Sequence, residues 1–172
     1  MKKYLLMTLA VMFVTSCSNK QDLALFNTNK AIAQEFLSTY EAPVDFDLFK
    51  SMLDENIEHQ SPMYGVGVVG YDQVIEQGDF YMSNFSDVTF ENAIWLPGVN
   101  DETLEVDGSV RVYGTWKGVS IASGKSFSVD AYHYFLVKDG LISKSGDFFD
   151  ATGMVMAVSP DEEVVMTEEE VD

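Results

Sequence analysis

The sequence predicts an α+β domain in which three N-terminal helices cover one face of an antiparallel sheet. Three observations carry that prediction. Apolar residues recur at helical spacing in the first half of the chain and alternate at strand spacing in the second. The helical stretches all precede the long strands, which is the order of an α+β domain rather than of a βαβ repeat. About 130 residues lie between a polar segment after Cys17 and an acidic end, the length of one domain.

Residues 29–41 form the first expected helix: Ile32, Phe36, Leu37 and Tyr40 share a stripe, Thr28 suits the cap, and Pro43 stops it. Residues 45–53 form a second, short helix with Phe46, Phe49 and Leu53 inward, and residues 57–61 are extended and closed by Pro62. After the loop of Gly65, Gly67 and Gly70, residues 71–84 read as a third helix with Val74 and Ile75 apolar. Residues 88–96, 106–121, 126–138 and 141–149 then alternate and are rich in Val, Tyr, Phe, Trp and Thr, as half-buried strands are.

The ends of the chain carry a different signal. Lys2 and Lys3 precede an apolar run over 4–14, and Thr15 and Ser16 are small residues before Cys17. This is the pattern of a secretory signal peptide over 1–16. The run is too short for a transmembrane helix, which needs roughly 20 residues. Val14-Thr15-Ser16-Cys17 also resembles the lipobox of bacterial lipoproteins. That resemblance implies lipidation of Cys17 (a diacylglyceryl group with an acyl chain such as palmitate), a tether over 17–27, and a place in the cell envelope. Cys17 is the only cysteine, so no intramolecular disulfide staples the domain. Residues 159–172 read as an acidic, solvated tail after a domain over 28–158, with seven acidic and no basic residues from Asp161 onward.

Without the signal peptide the chain has 8 basic and 28 acidic residues, a net charge of −20. Such a surface repels nucleic acid, which is bound by neutralising phosphates, and repels anionic headgroups. Membrane contact is therefore expected through the lipid alone. The two histidines, His59 and His133, lie far apart in sequence and no cysteine pair exists, so no metal cluster is expected. No glycine-rich loop follows a strand in the way that cradles phosphates. No cofactor is expected.

Six short motifs, in order, resemble the SnoaL-like branch of the nuclear-transport-factor-2-like superfamily. They are Pro62 with Gly70-Tyr71-Asp72-Gln73-Val74, Phe85-Ser86-Asp87, Gly114-Thr115-Trp116-Lys117-Gly118, Ser123-Gly124-Lys125, Lys138-Asp139-Gly140-Leu141-Ile142, and Asp150-Ala151-Thr152-Gly153-Met154. The resemblance implies a curved sheet wrapped against helices into a cone with an apolar pocket. It does not fix a function, because the superfamily holds cyclases, isomerases, hydrolases, dehydratases and domains without chemistry. A sheet that is apolar on both faces implies cover for its outer face, commonly a dimer partner in this superfamily, or else the third helix or the chain end.

His133 and Asp147 are the candidate catalytic pair, since their spacing resembles the acid–base His and Asp of SnoaL-like cyclases. Their meeting depends on the turn between their strands. A two-residue Asp139-Gly140 turn pairs Lys138 with Leu141 and sets Asp147 on the face opposite His133. A three-residue loop with left-handed Gly140 pairs Val137 with Leu141 and sets His133 diagonal to Asp147. The second is favoured, because glycine suits the third loop position. It places Asp130, Tyr132, Tyr134, Leu136, Ile142, Phe148 and Asp150 on the outer face. In such a pair Asp147 orients the imidazole and His133 shuttles a proton. The plainer account is a strand histidine satisfied by a carboxylate inside a binding cavity.

Trp116, Phe135 and Phe149 are expected in the pocket wall, with His59 either at its mouth or on the surface. Ser61 stands where the resembling ketosteroid isomerases carry their general-base aspartate, and Tyr132 stands where they carry a protonated acid, so steroid-type isomerisation is disfavoured. Trp116 replaces the histidine usual in the Gly-Thr-x-x-Gly motif, which adds aromatic wall and removes a proton carrier. The expectation is a pocket that binds a small apolar molecule or a partner without catalysis. The alternative is a cyclase, isomerase or dehydratase using His133 and Asp147, and a purely structural envelope domain is a third class.

Overall fold

The computed structural model describes residues 23–161. The expected signal peptide, Cys17, most of the tether and most of the acidic tail lie outside them. The domain is mixed α+β, with a curved six-stranded sheet and four helices among the described residues. In chain order these are α1 Ala24–Ser38, α2 Phe46–Ser51, β1 Leu53–Gln60, β2 Val68–Val69, α3 Tyr71–Asn84, β3 Phe85–Val99, β4 Val106–Ser120, β5 Ser126–Lys138, β6 Leu141–Phe148 and α4 Ala151–Val158. The strand order is β2-β1-β6-β5-β4-β3. β3 to β6 form an antiparallel meander, and β1 joins it parallel to β6.

The helices are shifted from expectation at their ends. α1 begins at Ala24, inside the expected tether, because Thr28 does not cap it: Thr28 Oγ1 donates back to the Ala24 carbonyl at 3.2 Å. The buried Asn29 instead ties the helix to β4, donating to the Gly108 carbonyl at 2.8 Å. α2 is capped by Asp45, whose carboxylate accepts from the Leu48 amide at 2.9 Å, and stops at Ser51, so Leu53 opens a strand instead of ending a helix. β3 runs past Pro97 to Val99; it is an edge strand, where a missing N–H costs no interior ladder bond. Left-handed Asp87 (φ 52°) and Asn92 (φ 55°) mark two of its three register shifts.

α4 is an element the sequence reading lacks. Asp150 caps it by accepting from the Gly153 amide at 2.9 Å, so Asp150 belongs to a helix start and not to the sheet's outer face. Ser123 donates to the Val158 carbonyl at 2.6 Å, and Lys125 reaches the Ser159 carbonyl and Asp161, which holds the end of α4 against the β4–β5 turn.

The turn between β5 and β6 corrects the favoured register. Lys138 pairs with Leu141 and Val137 with Ile142, as a two-residue turn requires. Asp139 and Gly140 both have positive φ, 53° and 84°, the type I′ geometry whose twist matches the flanking strands. Taken alone this would send Asp147 to the outer face. A bulge reverses it: Leu136 pairs with Lys144, so Ser143 is skipped and parity changes beyond it. His133 and Asp147 are direct partners across the strands, not diagonal ones. Ile142, expected outside, is fully buried on the inner face.

Two apolar clusters fill the interior. The larger packs α1, α2 and α3 on the inner faces of β1 and β4 to β6, through Phe36, Phe49, Val110, Val112, Phe135 and Ile142. The smaller sits under α4 and joins Phe85, Met154 and Val158 with Tyr81, Phe127 and Phe149. The clusters do not merge, and the cavity lies between them.

Candidate functional site

A cavity of about 70 Å³ is lined by residues of both clusters, Phe36 and Phe135 from one and Phe85, Phe149 and Met154 from the other. That is room for roughly five water-sized positions. Its wall is mostly apolar, and its polar groups come from one row across the central strands with one helical residue above. His59 on β1 lies beside Ser145 on β6, and His133 on β5 lies opposite Asp147 on β6. Trp116 on β4 reaches into the same row. It can do so because the intervening Gly114–Ala131 pair is small, and the Phe90 ring fills the space above Gly114, where a Cβ would stand 2.3 Å from it. Phe90 then meets Trp116 at 4.6 Å in a tilted contact and His133 at 5.7 Å edge-on.

The hydrogen bonds define the state of each group. His133 Nδ1 meets Asp147 Oδ1 at 2.7 Å, and Trp116 Nε1 donates to His133 Nε2 at 2.9 Å. An indole N–H can only donate, so His133 Nε2 is an acceptor and the ring's proton sits on Nδ1, pointing at Asp147. From α3, Gln77 Nε2 donates to Asp147 Oδ2 at 3.0 Å and faces His59 Nε2 at 3.2 Å, while Gln77 Oε1 accepts from Ser61 Oγ at 3.2 Å. His59 Nε2 is therefore also an acceptor, and His59 Nδ1 donates to Ser145 Oγ at 2.8 Å. Reversing the Gln77 amide would set its oxygen against the carboxylate, so the network admits one orientation.

Asp147 is held below the usual carboxylate range. Its burial acts to raise it, and His133, His59 and Gln77 together more than offset that. Tyr40 and Tyr81 also line the cavity, and both are pushed upward by burial and then by the nearby Asp147 charge, so they stay phenols. Neither hydroxyl has a hydrogen-bond partner among the described residues.

Of the residues singled out from sequence, His59, Trp116, His133, Phe135, Asp147 and Phe149 all line the cavity. His59 is 3% exposed, which excludes the surface placement. Sequence reasoning missed Gln77, Ser145, Tyr40 and Tyr81. Gln77 did carry a signal, because it breaks the apolar stripe of α3 between Val74 and Tyr81. Ser61, read only as the absence of a base, is buried and fixes the Gln77 amide. No group of three or more His, Cys, Asp or Glu side chains that could hold a metal occurs among the described residues.

No protein-family model matches the chain, and no curated protein matches it in sequence. Solved structures do. A protein from Xanthomonas campestris pv. campestris, provisionally assigned as a polyketide cyclase, superposes with a TM-score of 0.62 at 15% identity over 79% of this chain and 100% of that one. A phenazine biosynthesis-related protein from Pseudomonas aeruginosa gives 0.59 at 16% identity, over 86% of this chain and 90% of that one. A nuclear-transport-factor-2-like protein from Anabaena variabilis gives 0.58 at 20% identity, over 75% and 93%. Identities this low speak for the fold alone: the described chain has the nuclear-transport-factor-2-like fold.

Proposed function

We propose that this chain is an exported, lipid-anchored envelope protein whose domain binds a small molecule in the cavity without chemistry. The observation that carries the binding reading is the Trp116 to His133 bond of 2.9 Å. A general base needs its lone pair turned toward substrate, and here the indole occupies it. What remains is an apolar cavity with a few convergent polar groups, the usual make-up of a ligand site. The test is a titration of a Trp95→Phe variant, which leaves Trp116 as the only tryptophan, with the small neutral ligand toluene. A saturable change in Trp116 emission supports the reading; its absence at high toluene concentration removes it.

A second reading is an enzyme of cyclase, isomerase or dehydratase type. The 2.7 Å contact of His133 Nδ1 with Asp147 favours it, because that contact orients an imidazole as acid–base catalysis requires. The solved neighbours fit it equally well. It demands that Trp116 leave His133 Nε2 when substrate binds, and that turnover be lost in both His133→Ala and Asp147→Asn with folding intact.

The anchor reading rests on Val14-Thr15-Ser16-Cys17. In a bacterial host fed labelled palmitate, wild type should incorporate label and sediment with membranes. Cys17→Ser should do neither, and a variant that fractionates like wild type ends the anchor reading. The outer sheet face is the surface a second copy would use, since Tyr113 and Phe148 are each 47% exposed there and flank Tyr132. Sedimentation of wild type against Phe148→Glu decides that point.

A further inference from the structure

The hydrogen-bond network centres on one carboxylate, Asp147. Trp116 donates to His133 Nε2, so that imidazole is neutral by the role of its partner, while His59 Nε2 faces the Gln77 amide at 3.2 Å and Asp147 Oδ2 at 3.5 Å. Asp147 accepts from His133 and Gln77, one bond on each oxygen, and is the ionised member. No Lys or Arg among the described residues lines the cavity. A carboxylate oxygen accepts more than one bond, so Asp147 keeps acceptor capacity toward the cavity, where its side chain is 18% exposed.

The rest of the wall suits the same kind of guest. Trp116, Tyr40, Tyr81 and Phe149 present aromatic rings, and the Tyr40 and Tyr81 hydroxyls have oxygens free to accept. Aromatic faces attract cations. An anion would meet both the carboxylate and the negative ring faces. Outside the cavity, the chain without its signal peptide has 27 acidic against 8 basic residues, a field that concentrates cations at the surface.

We infer that the cavity, as the binding pocket proposed above, takes a protonated amine on a small apolar or aromatic body, its N–H groups donating to Asp147 and its body lying among the aromatic rings. The ammonium supplies the donors that an acceptor-only carboxylate needs and a full positive charge beside it. This rests on the binding reading, and it fixes the ligand's charge class where that reading leaves it open.

The experiment uses three probes that share one ring and differ in charge: benzylammonium, benzyl alcohol and benzoate. Each is titrated by calorimetry into the soluble chain lacking the signal peptide, at neutral pH. Benzylammonium should bind at least about tenfold tighter than benzyl alcohol, reflecting a charge-assisted contact, and benzoate should not bind. Asp147→Asn should weaken benzylammonium far more than benzyl alcohol and so erase the preference. Equal binding of the alcohol, or binding of benzoate, overturns the cationic class and leaves a binding pocket standing. If none of the three binds, the cationic class falls, and toluene decides separately whether the pocket binds at all. The comparison of probes needs no variant, so a failure of Asp147→Asn to fold does not spare the proposal.

Discussion

Trp116 and His133 form a donor–acceptor pair in which the indole N–H meets the imidazole nitrogen that would otherwise do chemistry, 2.9 Å away. Trp116→Phe keeps an aromatic ring and removes the N–H. The expected loss of stability is about 1 kcal/mol for the bond, with a further fraction for the smaller ring. Urea unfolding measures it. If the domain is an enzyme in waiting, this variant should also turn over any true substrate faster, because the lone pair is freed. If it is a binder, only affinity should move.

Asp147 ties folding to pH. Burial raises a carboxyl group, but the His133, His59 and Gln77 contacts outweigh it and set Asp147 below its usual range. An aspartate in the unfolded chain titrates near ~3.9. The stabilisation from Asp147 is therefore complete above that value, and it is lost as pH falls through the lower folded-state value. The difference in unfolding free energy between wild type and Asp147→Asn should be constant at neutral pH and shrink only in strong acid. Other carboxylates titrate in the same range, but they are common to both proteins and cancel. A difference that shrinks well above pH ~5 would mean that Asp147 is not the depressed group.

Gly78 is buried on α3 against Phe49, and a Cβ there would lie 2.6 Å from two ring carbons. Phe49 has no exposed surface and is stacked between Phe36 at 5.0 Å and Phe46 at 5.9 Å, so it cannot retreat. Alanine gains about 1 kcal/mol of helix propensity, and overpacking costs about 1–3 kcal/mol. Gly78→Ala should therefore lower the melting temperature, where propensity alone would raise it. A rise would show that α3 can shift away from α2.

The contrast between α3 and α4 shows what the sequence discloses. α3 was legible residue for residue because Val74 and Met82 repeat at helical spacing and Gly70 and Phe85 bound them. α4 was not, because Ala151–Val158 is short and uniformly apolar, without a polar face to reveal its period. The site divides similarly. Residue type marked His59, His133, Asp147 and Trp116 as chemically able. Their mutual roles came from Gln77, whose amide both fixes the His59 acceptor and holds Asp147, and no local pattern announces a contact between Gln77 and Asp147 across seventy residues.

The His133–Asp147 pairing itself depended on two features that parity reasoning could not separate. The turn has two residues, which inverts Asp147, and the bulge at Ser143 inverts it back. Both neighbours of β6 skip this residue: β5 passes from Val137–Ile142 to Leu136–Lys144, and β1 passes from Leu53–Ile142 to Glu58–Lys144. Deleting Ser143 should thus leave every other pair in place, with Lys144 following Ile142 directly opposite Leu136. The loss is the Ser143 Oγ contact to the Leu136 carbonyl at 3.2 Å, about 1 kcal/mol. The shortened protein should fold, and its Trp116 indole proton should keep the NMR shift of a bond to His133. Deleting Gly146 is the contrasting case, because Asp147 then occupies the position opposite Tyr134, on the outer face, and the polar row is broken. If both deletions behave alike, the bulge does not set the site's parity, and the pairing of His133 with Asp147 must be held by the helices above it.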